Sequence, residues 1–143
     1  MRIDFDILTQ WIQPGTRILD LGCGSGSLLA TLASEKNIEG YGIEIDHQKI
    51  TRCIERRVNV IEQNLDEGLG NFDDNSFDTV VMSQTLQAVR YPDKVVDEML
   101  RVGRECIVSF PNFGHWRCRL HIAVFGHMPV SESLPYTWYD TPN

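Results

Sequence analysis

Two hydrophobic rhythms alternate along this chain. Short apolar runs are separated by stretches in which apolar residues recur every three or four positions. The first fit buried strands and the second fit one-sided helices. Residues 4–13 place Ile7, Leu8, Trp11 and Ile12 on one side of a short helix, and Pro14-Gly15 breaks it. Residues 17–21 predict a first strand. Leu28, Leu29, Leu32 and Ala33 give the next helix a buried face. A second strand is expected over 40–45, then a helix over 47–57 with Ile50, Cys53 and Ile54 inward. Residues 58–61 predict a third strand, and 66–75 form a polar stretch bearing glycine. A fourth strand covers 76–83, where Val80-Val81-Met82 suits burial on both faces. Pro92 fits the first turn of a helix with Val95, Val96, Met99 and Leu100 as its inner stripe. Residues 106–110 predict a fifth strand that Pro111 ends. A last helix is expected over 113–125, with Trp116, Leu120 and Val124 four apart. Residues 128–143 read as an ordered loop.

Strand and helix in alternation imply an α/β fold, a doubly wound and mostly parallel Rossmann-like sheet covered on both faces. The expected strand order is 3-2-1-4-5, within a single domain over residues 1–143. Strand five would then be an apolar edge, which proteins normally cover. Either the aromatic tail covers it or the native chain continues beyond Asn143.

Composition narrows the function classes. A net charge of -7 over 143 residues leaves no dominant basic patch, which argues against a nucleic-acid or membrane surface. The four cysteines form no CxxC pair and read as free thiols in a reducing cytoplasm, not as a disulfide frame or metal knuckle. The acids among the first residues do not fit a signal peptide. No apolar run is long enough to span a bilayer.

The chemistry concentrates where the first strand meets its helix, at Asp20-Leu21-Gly22-Cys23-Gly24-Ser25-Gly26. Glycines here let the backbone turn sharply and approach a ligand, and the helix start offers N–H groups with partial positive charge. The dinucleotide fingerprint puts its third glycine one place later, where this chain has Ser27. The tighter spacing fits S-adenosylmethionine better. That ligand has no pyrophosphate to cradle, and Asp20 suits its positive charges. A nicotinamide-dependent reductase is the weaker alternative. Cys23 sits where a helix start favours thiolate. Without a partner histidine it reads as a small packing residue.

Glu44 falls eighteen residues after Gly26, at the end of strand two. A carboxylate there can accept both ribose hydroxyls. Ile45 fits either an adenine face or ordinary core. After strand three, Asn64 can accept the adenine amine and the Leu65 N–H can donate to the ring; a turn-forming Asn is the alternative. After strand four come Ser83 and Gln84, next to the point where strand order reverses. Open α/β sheets bind ligands there. This places Gln84 near the cofactor's reactive end, with helix capping by Ser83 or Thr85 as the other reading.

With these elements in place, the chain resembles the methionine biosynthesis protein MetW family, a branch of the class I S-adenosylmethionine-dependent methyltransferases. The resemblance rests on the glycine turn, on Gly40-Tyr41-Gly42-Ile43-Glu44-Ile45-Asp46, and on Ser83-Gln84-Thr85-Leu86-Gln87-Ala88-Val89-Arg90. It extends through Met99-Leu100-Arg101-Val102-Gly103-Arg104-Glu105 and Ser109-Phe110-Pro111-Asn112-Phe113-Gly114-His115-Trp116-Arg117, to Leu134-Pro135-Tyr136 and Trp138-Tyr139-Asp140-Thr141-Pro142-Asn143. The family usually has an acid where this chain has Asn64, and it continues past Asn143. The resemblance implies a role in methionine biosynthesis with homoserine O-acetyltransferase as functional partner, and it names no methylated substrate.

Two functions stay open. One is a methyltransferase acting on a small molecule, and the other a cofactor-binding accessory or sensing subunit. Methyl transfer from a sulfonium rests mainly on placement, so the absence of an obvious catalytic pair decides nothing. Gln84, Asn112 and His115 are the candidates around the methyl group, and no catalytic residue is assigned. His115, His121 and His127 recur every six residues, which fits no zinc spacing, and no metal is expected. In the accessory reading, residues 129–143 form a contact surface. Homodimer assembly is left open.

Overall fold

The computed structural model describes residues 3–112 and 114–130. Among them, five parallel strands form one sheet in the order β3-β2-β1-β4-β5. The strands are β1 (Arg17–Leu21), β2 (Glu39–Glu44), β3 (Asn59–Glu62), β4 (Phe77–Ser83) and β5 (Gly103–Ser109). The helices are α1 (Ile3–Trp11), α2 (Ser27–Lys36), α3 (His47–Glu55), α4 (Pro92–Val102) and α5 (Trp116–Phe125).

The period of two along each strand divides the core. Ile18 and Val81 join Leu28, Leu29, Leu32, Cys53, Leu8 and Ile12 on the face covered by α1, α2 and α3. Leu19, Leu21, Val80 and Met82 join Val95, Met99 and Val102 of α4 on the other. Helix ends follow local chemistry. Asp46 caps α3 by accepting from Gln48 N at 2.8 Å, and Pro92 opens α4.

The doubly wound plan and strand order are as expected, and the differences are local. Leu8 of α1 and Ile12 just after it are buried, whereas Ile7 and Trp11 face outward. Ala33, Ile54 and Leu100 are likewise exposed. One strand face can cover only a narrow stripe of each helix, so apolar residues at its margin stay outside. β5 starts three residues before the expected position. Its polar opening is recruited by the ladder, with Phe77 opposite Gly103 and Thr79 opposite Glu105. α4 therefore runs into β5 without a loop. Gly103 permits this, since a Cβ there would lie 2.5 Å from Val80 Cγ2.

The polar stretch after β3 contributes to the core. Leu65 opens a 3₁₀ turn (Leu65–Glu67) and is buried, as is Leu69, while Phe72 packs against them. Arg101 of α4 staples this crossover. Its guanidinium donates to the carbonyls of Leu69 and Phe72 and pairs with Glu98 and Asp74 at 2.8 Å each. The last helix is shorter than the 113–125 expected, and Trp116, Leu120 and Val124 are exposed. The loop expected over 128–143 and the tail expected to cover β5 lie mostly outside the described residues. No helix among the described residues is long and apolar enough to cross a membrane.

Candidate functional site

The carboxyl ends of β1, β2, β3 and β4 open onto a cleft of about 610 Å³. It lies where the strand order reverses between β1 and β4, the place an open α/β sheet leaves for a ligand. Gly22, Gly24, Glu44, Ile45, Asn64, Leu65, Ser83 and Gln84 all line it. A second cavity of about 190 Å³ adjoins the glycine turn and is lined by Asp20, Cys23 and, from α1, Phe5. Gly22, Gly24, Ser25 and Ser83 border both spaces.

The turn is built by its neighbours. Gly22, Gly24 and Gly26 have φ of 73°, 58° and 72°, a region that disfavours a side chain. Gly22 N and Cys23 N donate to Ile43 O at 2.9 and 3.0 Å, tying the turn to β2. A Cβ on Gly22 would come within 2.5 Å of the Thr85 side chain. Gly26 lines neither of these two cavities. It caps α2, and a Cβ on it would meet Cys53 Sγ at 3.0 Å.

Glu44 is the electrostatic centre. It is buried, and its Oε1 accepts from Ile45 N at 2.9 Å and Asp46 N at 3.0 Å. Its Oε2 accepts from Gly24 N at 2.9 Å, joining the acid of β2 to the glycine turn of β1. A carboxylate offers about four acceptor directions. Three are taken, and the one left belongs to Oε2. Next to it, Ile45 is 59% exposed, so the core reading of this residue fails and an apolar surface is left on the cleft wall.

Asn64 makes the turn bond, its Oδ1 accepting from Asp66 N at 3.1 Å. Asp66 in turn accepts from Arg90 N at 2.8 Å and Tyr91 N at 3.2 Å, holding the loop after β4 against the loop after β3. Gln84 has φ of 53°, and its N–H donates to Ser109 O at 2.8 Å. Ser83 Oγ and Ser109 Oγ are 3.2 Å apart. Thr85, at the start of the short turn that follows, makes no capping side-chain bond; its Oγ1 donates to Ser83 O at 3.2 Å.

The structure does not bring Asn112 and His115 to the cleft. Asn112 Oδ1 accepts from Gly114 N at 2.9 Å, and His115 caps α5. Burial, Asp20 and Cys53 push the Cys23 thiol far above its ordinary range. The thiolate that a helix start would favour is therefore overridden by desolvation. No metal-binding cluster occurs among the described residues.

Several cleft residues were not foreseen, among them Asp46, Lys49, Arg52, Asp66 and Gln87. The helical spacing of Lys49 and Arg52 and the position of Gln87 in the post-β4 segment were the available signals. Gln87 donates through Nε2 to Gln84 O at 2.9 Å, and its Oε1 is buried without a hydrogen-bond partner among the described residues.

The family model for methionine biosynthesis protein MetW matches residues 2–143. The chain belongs to the MetW family. A bifunctional methionine biosynthesis protein MetXA/MetW from Rhodopirellula baltica is 35% identical over 152 residues, covering 100% of this chain and 24% of that relative. A demethylmenaquinone methyltransferase from Listeria monocytogenes is 30% identical, covering 89% of this chain and 62% of its own length. This MetW-family chain thus spans less than two thirds of either relative. Among solved structures, an S-adenosylmethionine-dependent methyltransferase from Archaeoglobus fulgidus aligns with a TM-score of 0.72 at 21% identity, over 90% of this chain and 61% of that one. Phosphoethanolamine N-methyltransferase 2 of Haemonchus contortus, solved with S-adenosyl-L-methionine, aligns with a TM-score of 0.61 at 25% identity, over 69% and 25%. The MetW-family chain thus has the methyltransferase-like fold.

Proposed function

We propose that this MetW-family protein binds S-adenosylmethionine across the carboxyl ends of its central strands. The observation that carries the reading is the Glu44 carboxylate fixed on Gly24 N, with one acceptor direction to spare, at the strand-order reversal. A ribose hydroxyl suits that acceptor. Accepting both hydroxyls requires the ligand to replace the Gly24 N–H. The adenine lies between Ile45 and the Asn64-Leu65 segment, where Asn64 keeps an amide to offer. The amino-acid end runs over Gly22, Cys23 and Gly24 toward Asp20, with Ser83 and Gln84 at the reactive end. A solved neighbour described as S-adenosylmethionine-dependent and another solved in complex with S-adenosyl-L-methionine support this choice of cofactor.

The function that follows is a methyltransferase-like protein of methionine biosynthesis, transferring methyl to a small molecule. A second reading has its own support. The Rhodopirellula relative carries MetXA and MetW in one polypeptide, which favours an accessory role toward homoserine O-acetyltransferase. Calorimetric titration with S-adenosylmethionine tests the common ground, and absence of binding overturns both readings. Labelled S-adenosylmethionine, with candidate acceptors and with or without the acetyltransferase, then separates them. Methyl turnover supports the first. A change in acetyltransferase rate without methyl turnover supports the second.

A further inference from the structure

The glycine turn is held from behind by one helix. Near the end of α3, Cys53 Sγ donates to Gly24 O at 3.1 Å. Three residues further along the chain, Arg56 Nη1 donates to Ser25 O. Arg56 is the residue that caps the C-terminal end of α3, so this end of the helix presents two donors to two consecutive carbonyls of the turn. A trans peptide unit carries its N–H opposite its C=O. Drawing Gly24 O toward α3 therefore turns the Ser25 N–H away from α3. Ser25 borders both cavities. Drawing Ser25 O the same way turns the next N–H, that of Gly26, inward, where it donates to Cys23 O at 3.0 Å and closes the turn.

The opposite end of α3 organises the other half of the site. Its capping residue Asp46 donates its own N–H to Glu44 Oε1 at 3.0 Å. One helix thus fixes the carboxylate at its start and the backbone donors at its end.

We propose that Cys53 and Arg56 are positioning residues, which aim the Ser25 N–H at the carboxylate of the ligand's amino-acid end. This rests on the S-adenosylmethionine reading above. Neither side chain touches the ligand in this arrangement; both act through the Gly24 and Ser25 peptides. Serine at 53 and lysine at 56 keep a donor, whereas alanine at either position removes it.

The test compares Arg56→Ala, Arg56→Lys, Cys53→Ala and Cys53→Ser by amide hydrogen exchange of the turn and by calorimetric titration with S-adenosylmethionine. Arg56 is exposed, so its alanine variant is expected to keep the wild-type melting temperature. The expected result is exchange at Gly26, whose N–H closes the turn on Cys23 O, at least fivefold faster in both alanine variants, with affinity weakened at least fivefold. The lysine and serine variants recover most of each effect. Unchanged turn exchange in Arg56→Ala overturns the proposal, and so does faster exchange with unchanged affinity. If wild-type protein binds no S-adenosylmethionine, the cofactor reading fails by itself. The exchange comparison then still decides whether α3 orders the turn.

Discussion

Replacing Glu44 by Gln removes a charge and changes little in shape, and the geometry gives the cost. The carboxylate accepts three backbone N–H groups, from Gly24, Ile45 and Asp46. An amide has one acceptor oxygen and one NH₂. If that oxygen stays with Ile45 and Asp46, the NH₂ faces Gly24 N–H, donor against donor. Hydrogen bonds to charged groups contribute roughly 1.5–3 kcal/mol each, and an orphaned buried donor costs about 1–3 kcal/mol. The variant should therefore lose about 1–3 kcal/mol of stability through the Gly24 contact alone. For a chain of this size that is roughly 4–12 °C in melting temperature. Losing the remaining acceptor direction should weaken S-adenosylmethionine by a similar energy, about 5- to 150-fold in Kd. Urea and thermal unfolding followed by circular dichroism measure the first effect, and calorimetric titration measures the second. A melting temperature equal to wild type would refute the tie between β2 and the glycine turn. A Kd within twofold of wild type would refute the role assigned to the acid.

Thiol chemistry should sort the four cysteines. Cys23 and Cys53 are buried, with Sγ atoms 3.9 Å apart, whereas Cys106 and Cys118 are half-buried; burial raises the thiols of Cys23, Cys53 and Cys106 above their ordinary range. A disulfide-exchange reagent at about pH 8 should label Cys118 fastest and reach Cys23 and Cys53 only after denaturation; mass mapping that finds Cys23 labelled first would contradict this. Glu98 should contribute to acid lability. Its hydrogen bond from Arg101 holds the carboxyl below the ordinary glutamate range; burial opposes this, and Leu69 N adds to the lowering. A depressed folded-state value stabilises above the unfolded value and is lost as pH falls through the folded one. Wild type should thus lose melting temperature more steeply than Glu98→Gln between about pH 5 and pH 3, and parallel curves would rule out the Glu98 contribution.

What could be read from the sequence was what depends on local pattern. The strand-to-helix glycine turn, the acid closing β2 and the segment after β4 sit in short stretches where residue type and position coincide. The structure brings all three to one cleft. Contacts set by distant partners were harder to read. Leu69 and Phe72 lie in a polar stretch without period, and they enter the core because Arg101 holds their carbonyls. The polar start of β5 was missed because ladder pairing with β4, not apolarity, makes it a strand. Asn112 and His115 looked chemical by type alone, but both bond to nearby backbone N–H groups and serve as local caps.

The junction of Val102 and Gly103, where helix becomes strand with no intervening residue, acts as a length gauge. One residue inserted on the helical side would rotate the inward stripe of Val95 and Met99 by about 100° relative to the joint. One inserted on the strand side would exchange the two faces of β5 beyond it. Natural variation in chain length should therefore avoid this joint and gather in surface loops with slack, leaving 102–103 a fixed landmark for aligning related sequences.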